Sequence, residues 1–213
     1  MPRHPKFDHH TVIDITARLA ARHPAEATIA RIAAELDAPT GSIYHRFRSR
    51  DDLLGEVWLS AAAAFQSAFA AQMVGDDAFE AGLAAARWVP SRVRERFDEA
   101  RILMLHRRED FAAPHWPAPM QQRARQLTSD MQARFDALAE RLGVDDEVGR
   151  QRVRFALVEL PLAVVRPHLH AGRAPPPLAE SLIEDCYRAV LAPLRSSAAE
   201  FATPSNPNGS PPQ

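Results

Sequence analysis

A chain of 213 residues, 46% hydrophobic and 25% charged, carries enough apolar content to bury a core as one large domain or two small ones. Its net charge of -1 points neither toward nor away from nucleic acid, and its single cysteine, Cys186, excludes an intramolecular disulfide and a CxxC metal site. Distribution is more informative than the sum: residues 1–50 hold eight Lys and Arg against five Asp and Glu, so the positive end is N-terminal. The opening MPRHPKFDHH has no secretory apolar run, and the most apolar stretch, 53–74, is interrupted by Gly55, Glu56, Ser60, Gln66 and Gln72. The expectation is a cytoplasmic protein with no membrane partner.

In chain order, Val12, Ile13, Ile15, Ala17, Leu19 and Ala20 predict a helix over 8–22 that ends before His23-Pro24. Thr28 stands where its hydroxyl can cap a second helix, IARIAAEL, with Ile29, Ile32, Ala33 and Leu36 on one face. After the short break at Asp37-Ala38-Pro39 a third helix is predicted through Phe47; two short helices so tightly joined have the helix-turn-helix shape. Ser49 and Asp52 form a capping-box signature for a fourth helix, whose residues Leu54, Val57, Trp58, Ala61, Phe65, Ala68, Phe69 and Met73 share a face up to Gly75. Further helical patterns cover 76–89, 91–107, 118–142, 146–169 and 178–195. Pro161 is expected to kink the penultimate helix, because it removes a backbone bond and crowds the carbonyl four residues earlier. No convincing strand alternation occurs, so the fold class is all-α. Pro114, Pro117, Pro119 and the Gly172–Pro177 segment mark loops, and the Pro-, Ser- and Asn-rich 196–213 reads as a disordered tail.

Residues 28–54, TIARIAAELDAPTGSIYHRFRSRDDLL, resemble the N-terminal DNA-binding domain of the TetR family of transcriptional regulators. The threonine, the apolar-alanine pair, the tight turn, the Gly-hydroxyl-aliphatic-Tyr-x-His-x-Phe spacing and the serine-basic-acidic cap all fall in register. Within this frame Ile43 and Phe47 dock the third helix, leaving Thr40, Ser42, Tyr44, His45 and Arg46 on its remaining surface. Gly41 keeps the tip of that helix thin, so its backbone can approach a major groove. The resemblance implies that Tyr44, Arg50 and the amide end of the second helix at Thr28 hold phosphates, while Thr40, Ser42 and His45 approach base edges. Two departures stand out. Pro39 occupies a position often held by a capping serine, so the helix either starts at Pro39 or starts one residue later with Thr40 as an inward-turned cap; Asp37 replaces a turn glycine and must adopt the left-handed conformation. Arg3 and Lys6 read either as a basic arm for backbone or minor groove or as a frayed terminus.

Other polar clusters have simpler readings. His4, His9 and His10 do not converge as a zinc site needs, His106-Arg107-Arg108 and His168-Leu169-His170 suit helix C-termini, and the Glu109-Asp110 and Asp145-Asp146-Glu147 carboxylates suit helix starts. No GxSxG, P-loop or GxGxxG motif occurs, so no metal, cofactor or catalytic residue is expected. In the C-terminal half, Trp58, Phe65, Phe69, Trp88, Met104, Phe155 and the polar Gln66, His106 and Arg154 are candidates to line an effector cavity; the alternative is a filled core. Helices 146–169 and 178–195 resemble in position the family's dimerisation pair, with Val153, Leu157, Leu160, Val164, Leu182, Cys186, Val190 and Leu194 as its apolar residues.

These readings give a helix-turn-helix domain over 1–50, a helical effector-binding and dimerisation domain over 51–195, and the tail. The function expected is that of a homodimeric repressor released from a palindromic double-stranded DNA operator by a small apolar molecule. The alternatives are a constitutive DNA-binding dimer without effector and, from another class, a small helical enzyme.

Overall fold

The computed structural model describes residues 8–106 and 116–201, with side chains through Leu194. Outside the described residues lie Arg3, His4 and Lys6, the charges from Arg107 to Asp110, Pro114, and the tail from residue 202. The chain is all-α, with no strand among the described residues.

Side-chain caps set most helix starts. Helix α1 (His9–Arg22) begins at Asp8, whose carboxylate accepts both the N–H and the hydroxyl of Thr11 at 2.7 Å. Those bonds hold the Asp8 carboxyl below the usual carboxylate range. Helix α2 (Ile29–Glu35) begins at Thr28, whose hydroxyl accepts the Arg31 N–H at 3.3 Å. It ends in a Schellman turn: the Ala38 N–H reaches the Ala33 carbonyl at 3.0 Å, the Asp37 N–H reaches Ala34 at 3.2 Å, and Asp37 takes the left-handed conformation with φ 48°. Helix α3 (Thr40–Tyr44) is shorter than the pattern suggests, because Arg46 and Phe47 both direct their N–H groups at the Ile43 carbonyl and close the helix as a turn. Helix α4 (Arg50–Gln72) begins at Ser49, whose hydroxyl accepts the Asp52 N–H at 3.0 Å.

Val12, Ile13, Leu19, Ile29, Ile32, Ile43 and Phe47 form one core with Leu53, Leu54 and Val57 at the start of α4. The fourth helix is therefore shared between this unit and the rest of the chain. It is long and apolar enough to cross a membrane by length and composition, yet it packs as a core helix against α1, α5 and α7.

The second core is built around α5 (Ala78–Glu95), α7 (Ala118–Arg141), the α8 (Glu147–Arg154) and α9 (Leu160–His170) pair, and α10 (Leu178–Phe201). The break expected near Pro90 does not occur. Pro90 is buried within α5 beside Val89 and Val93, and the helix continues to Glu95 because packing on both sides outweighs the lost backbone bond. Helix α6 (Phe97–Ala100) runs into a π turn, Arg101–Leu105, closed by the His106 N–H on the Arg101 carbonyl at 3.2 Å. Helices α8 and α9 are joined by a second π turn, Phe155–Glu159, in which the Leu160 N–H bonds Phe155 immediately before Pro161. The helix thus meets a residue lacking an N–H with a local bulge. Helix α10 runs on to Phe201, past the predicted end at Arg195.

Tyr187 of α10 is fully buried and donates its hydroxyl to the Phe79 carbonyl at 3.1 Å. Burial pushes its phenol well above the ordinary value. Gly82 makes room for that hydroxyl, since a Cβ there would overlap it.

Candidate nucleic-acid interface and effector cavity

Helix α3 sits on the N-terminal core through Ile43, fully buried, and Phe47, on which the His9 ring stacks at 4.9 Å. Its other side chains face outward. Tyr44 is 53% exposed, and Thr40, Gly41 and His45 are exposed. Pro39 is the cap residue without a side-chain cap bond, so Thr40 begins the helix on the surface and is not the inward-turned cap that the sequence left open. Ser42, half-buried, donates its hydroxyl to the Pro39 carbonyl at 2.6 Å and keeps its lone pairs for a donor.

Neither backbone conformation nor packing calls for a glycine at position 41. Its φ is not positive, and a Cβ added to it would meet nothing within 4 Å. A helical glycine costs about 1 kcal/mol against alanine, and no contact within the described chain requires a glycine here.

The three arginines of Arg46-Phe47-Arg48-Ser49-Arg50 divide their work. Arg46 folds back, its Nη1 donating to the Ser42 carbonyl at 2.9 Å. Arg50 turns inward: Nε donates to the Ala27 carbonyl at 2.9 Å, Nη2 to the Pro24 carbonyl, and Nη1 lies 3.7 Å from Asp51. The resemblance implies a phosphate ligand for Arg50, whereas the structure uses it to clamp the α1–α2 connection and so to hold Thr28 in place. Arg48, which the sequence reading did not select, is exposed and makes no hydrogen bond or ion pair among the described residues. Its signal was the alternation of the three arginines, but only tertiary contacts show which one remains available.

In the second unit a cavity of about 290 Å³ lies between α4, the Arg101–Leu105 turn, α7 and the α8–α9 pair. Of the sequence candidates, Trp58, Phe65, Gln66, Phe69, Met104 and Arg154 line it. Three do not. Trp88 stands behind the wall, its ring 5.4 Å from Phe65 and 6.3 Å from Phe69. His106 reaches away, its Nε2 3.1 Å from the Ala21 carbonyl of α1. Phe155 is 41% exposed on the outer surface. Leu103, Met131, Phe135 and Leu157 complete much of the lining; they lack any sequence signal that separates a cavity wall from a filled core.

The π turn joins the two sites. Ile102 is fully buried in the N-terminal core, while its neighbours Leu103 and Met104 line the cavity. His106 and Arg101 bond the carbonyls of Ala21 and Arg22 at the end of α1.

On the outer face, Val153, Leu157 and Leu160 are interior residues and are unavailable for the interface that the sequence assigned them. The exposed apolar residues there are Val148, Phe155 and Val158 on the α8–α9 pair and Leu178, Leu182 and Cys186 on α10. Among the described residues no group of three or more His, Cys, Asp or Glu converges as a metal site.

No curated protein matches the chain significantly. Residues 12–57 match the family described as bacterial regulatory proteins, tetR family. The fold is shared with the fatty acid degradation regulator FadR from Bacillus halodurans, at 16% identity and TM-score 0.65, covering 92% of this chain and 99% of that one. It is also shared with a TetR-like transcriptional regulator from Rhodococcus sp. RHA1, at 16% identity and TM-score 0.64 over 90% and 98% of the two chains. A putative tetR family transcription regulator from Shewanella sp. PV-4 has 14% identity and TM-score 0.57 over 93% and 96%. The capped α2, the left-handed turn and the outward-facing α3 all lie within the segment that matches the tetR family, so the N-terminal unit resembles that family's N-terminal domain and the whole chain shares the fold of TetR-like regulators.

Proposed function

We propose that the chain is a cytoplasmic homodimer that represses transcription from a palindromic operator and is released by a small, mainly apolar effector. The observation that carries the ligand response is the turn in which Ile102 packs into the DNA-binding unit while Leu103 and Met104 line the cavity. A molecule seated on those two side chains presses on a backbone whose next residue is locked between α1 and α4. Helix α4 is the second connection, since Ser49 caps it beside α3 and Trp58, Phe65 and Phe69 reach the cavity. An open cavity supports a sensor over a constitutive DNA-binding dimer, which calls for a filled core.

On the DNA side, Tyr44 and Arg48 hold phosphates, and Thr40, Ser42 and His45 face base edges with Gly41 at the closest approach. A phosphate would have to take Arg50 from two carbonyls, so Arg50 acts as a positioning residue for the Thr28 end of α2. The exposed apolar residues of α8–α10 form the face through which two copies pair.

Linkage tests the mechanism: an effector that lowers operator affinity must itself be weakened by operator to the same factor. Selection of bound genomic fragments with purified protein supplies the operator, and isothermal titration of effector with and without it supplies the two affinities. Equal affinities would remove the mechanism.

A further inference from the structure

Three features of the cavity constrain its occupant. Its walls are apolar, with four aromatic side chains, Trp58, Phe65, Phe69 and Phe135. Among the described residues its hydrogen-bonding amide and charged lining groups are Gln66 and Arg154, with no carboxylate. Neither Gln66 nor Arg154 makes a hydrogen bond or ion pair among the described residues. Arg154 also lines an adjoining polar hollow of about 530 Å³ with Gln132, Asp136, Glu147, Arg150 and Gln151, so it stands where the apolar cavity meets the polar exterior.

The described lining of the apolar cavity itself holds one cation, Arg154, and no anion, which disfavours a cationic guest there; Asp136, Glu147 and Arg150 belong to the adjoining hollow. The fork of a guanidinium matches one carboxylate through two parallel N–H···O bonds. A dianionic head would carry its second charge toward Asp136 and Glu147 of the adjoining hollow. At roughly 30 Å³ for each water-sized group, 290 Å³ accommodates a molecule of about ten non-hydrogen atoms.

Resting on the reading of this cavity as an effector site, we propose that the effector is an apolar monocarboxylate, an aliphatic or arylalkyl acid. Its tail lies among Trp58, Phe65, Phe69 and Phe135, and its carboxylate pairs with Arg154. Leu103 and Met104 line the same cavity, so a bound tail also meets the turn that carries Ile102.

The test is isothermal titration of the full-length protein with octanoate, 1-octanol and octylamine, which share a tail and differ in the head, and with the matched pair 4-phenylbutyrate and 4-phenylbutanol. Each acid should bind about tenfold more tightly than its alcohol, the ratio given by ~1.4 kcal/mol, and octylamine should bind more weakly than octanol. Arg154→Gln should bring each acid to the level of its alcohol, with an unchanged melting temperature reporting that the variant is folded; Arg154→Lys should restore part of the preference. Acid and alcohol binding equally to the native protein, or a preference that survives Arg154→Gln, overturns the carboxylate assignment and leaves the sensor reading standing. Absence of binding by every probe overturns the assignment and the reading of the cavity as an effector site together.

Discussion

The N-terminal and C-terminal cores are made of the same residue types and end differently. In the first, Val12, Ile32, Ile43 and Leu53 have no exposed surface, and the polar side chains lie outside on α3. In the second, Phe65, Phe69 and Phe135 approach one another and stop short, and with Trp58, which packs against the first core, they bound a void with an arginine at its edge. An apolar pattern thus tells which residues leave water and not whether they fill the space they enter. The filled unit presents chemistry on its surface, whereas the other keeps it inside.

Removing a keystone of the filled core should give the largest effect. Phe47→Ala should lower stability by about 3–5 kcal/mol in chemical denaturation and abolish DNA binding, because Phe47 and His9 together seat α3. Insertion of bulk separates the two cores directly. Ala20→Leu, at a position with no exposure in the N-terminal core, should cost about 1–3 kcal/mol. The same change at Ala62, on the cavity wall, should stay within about 1 kcal/mol of the native protein and block effector binding. Equal costs at the two sites would show that the second core is as full as the first.

A smaller contrast concerns Gly41. Gly41→Ala should raise thermal stability by up to ~1 kcal/mol, since its Cβ meets nothing in the chain, while operator affinity falls. Gain of stability with unaltered DNA binding would remove the close-approach role. The smallest expected effects separate two arginines. Arg48→Ala should leave the melting temperature unchanged and reduce the slope of log affinity against log salt by about one. Arg50→Ala should instead lower the melting temperature, because the Pro24 and Ala27 carbonyls each lose the guanidinium N–H they accept. A salt slope altered by Arg50 and not by Arg48 would reverse the assignment.

Much of the N-terminal unit was legible because its signals are local. Thr28 and Ser49 cap the helices that follow them, and Asp37 takes the left-handed turn. Legibility faded where distant packing decides. Pro90 carries a strong local signal to break, yet the burial of Val89 and Val93 overrides it, and Pro161 is absorbed by a π turn. His106 has the chemistry of a ligand-orienting group but spends it on the Ala21 carbonyl. Val153, Leu157 and Leu160 share helical spacing with Phe155 and Val158, and spacing alone does not say which side faces the interior once a π turn shifts the register.

The sequence by itself determined that the chain is helical, where α1, α2 and α4 begin, and that α3 carries hydroxyls, a tyrosine and a histidine away from Ile43, because caps, turn residues and helical period act within a few residues. The tertiary structure alone decided which arginine clamps and which stays available, which apolar residues bound a void, and that Ile102 and Met104 join two sites from one turn. Each of these depends on how far apart non-neighbouring helices come to rest, a distance that residue spacing along the chain does not encode.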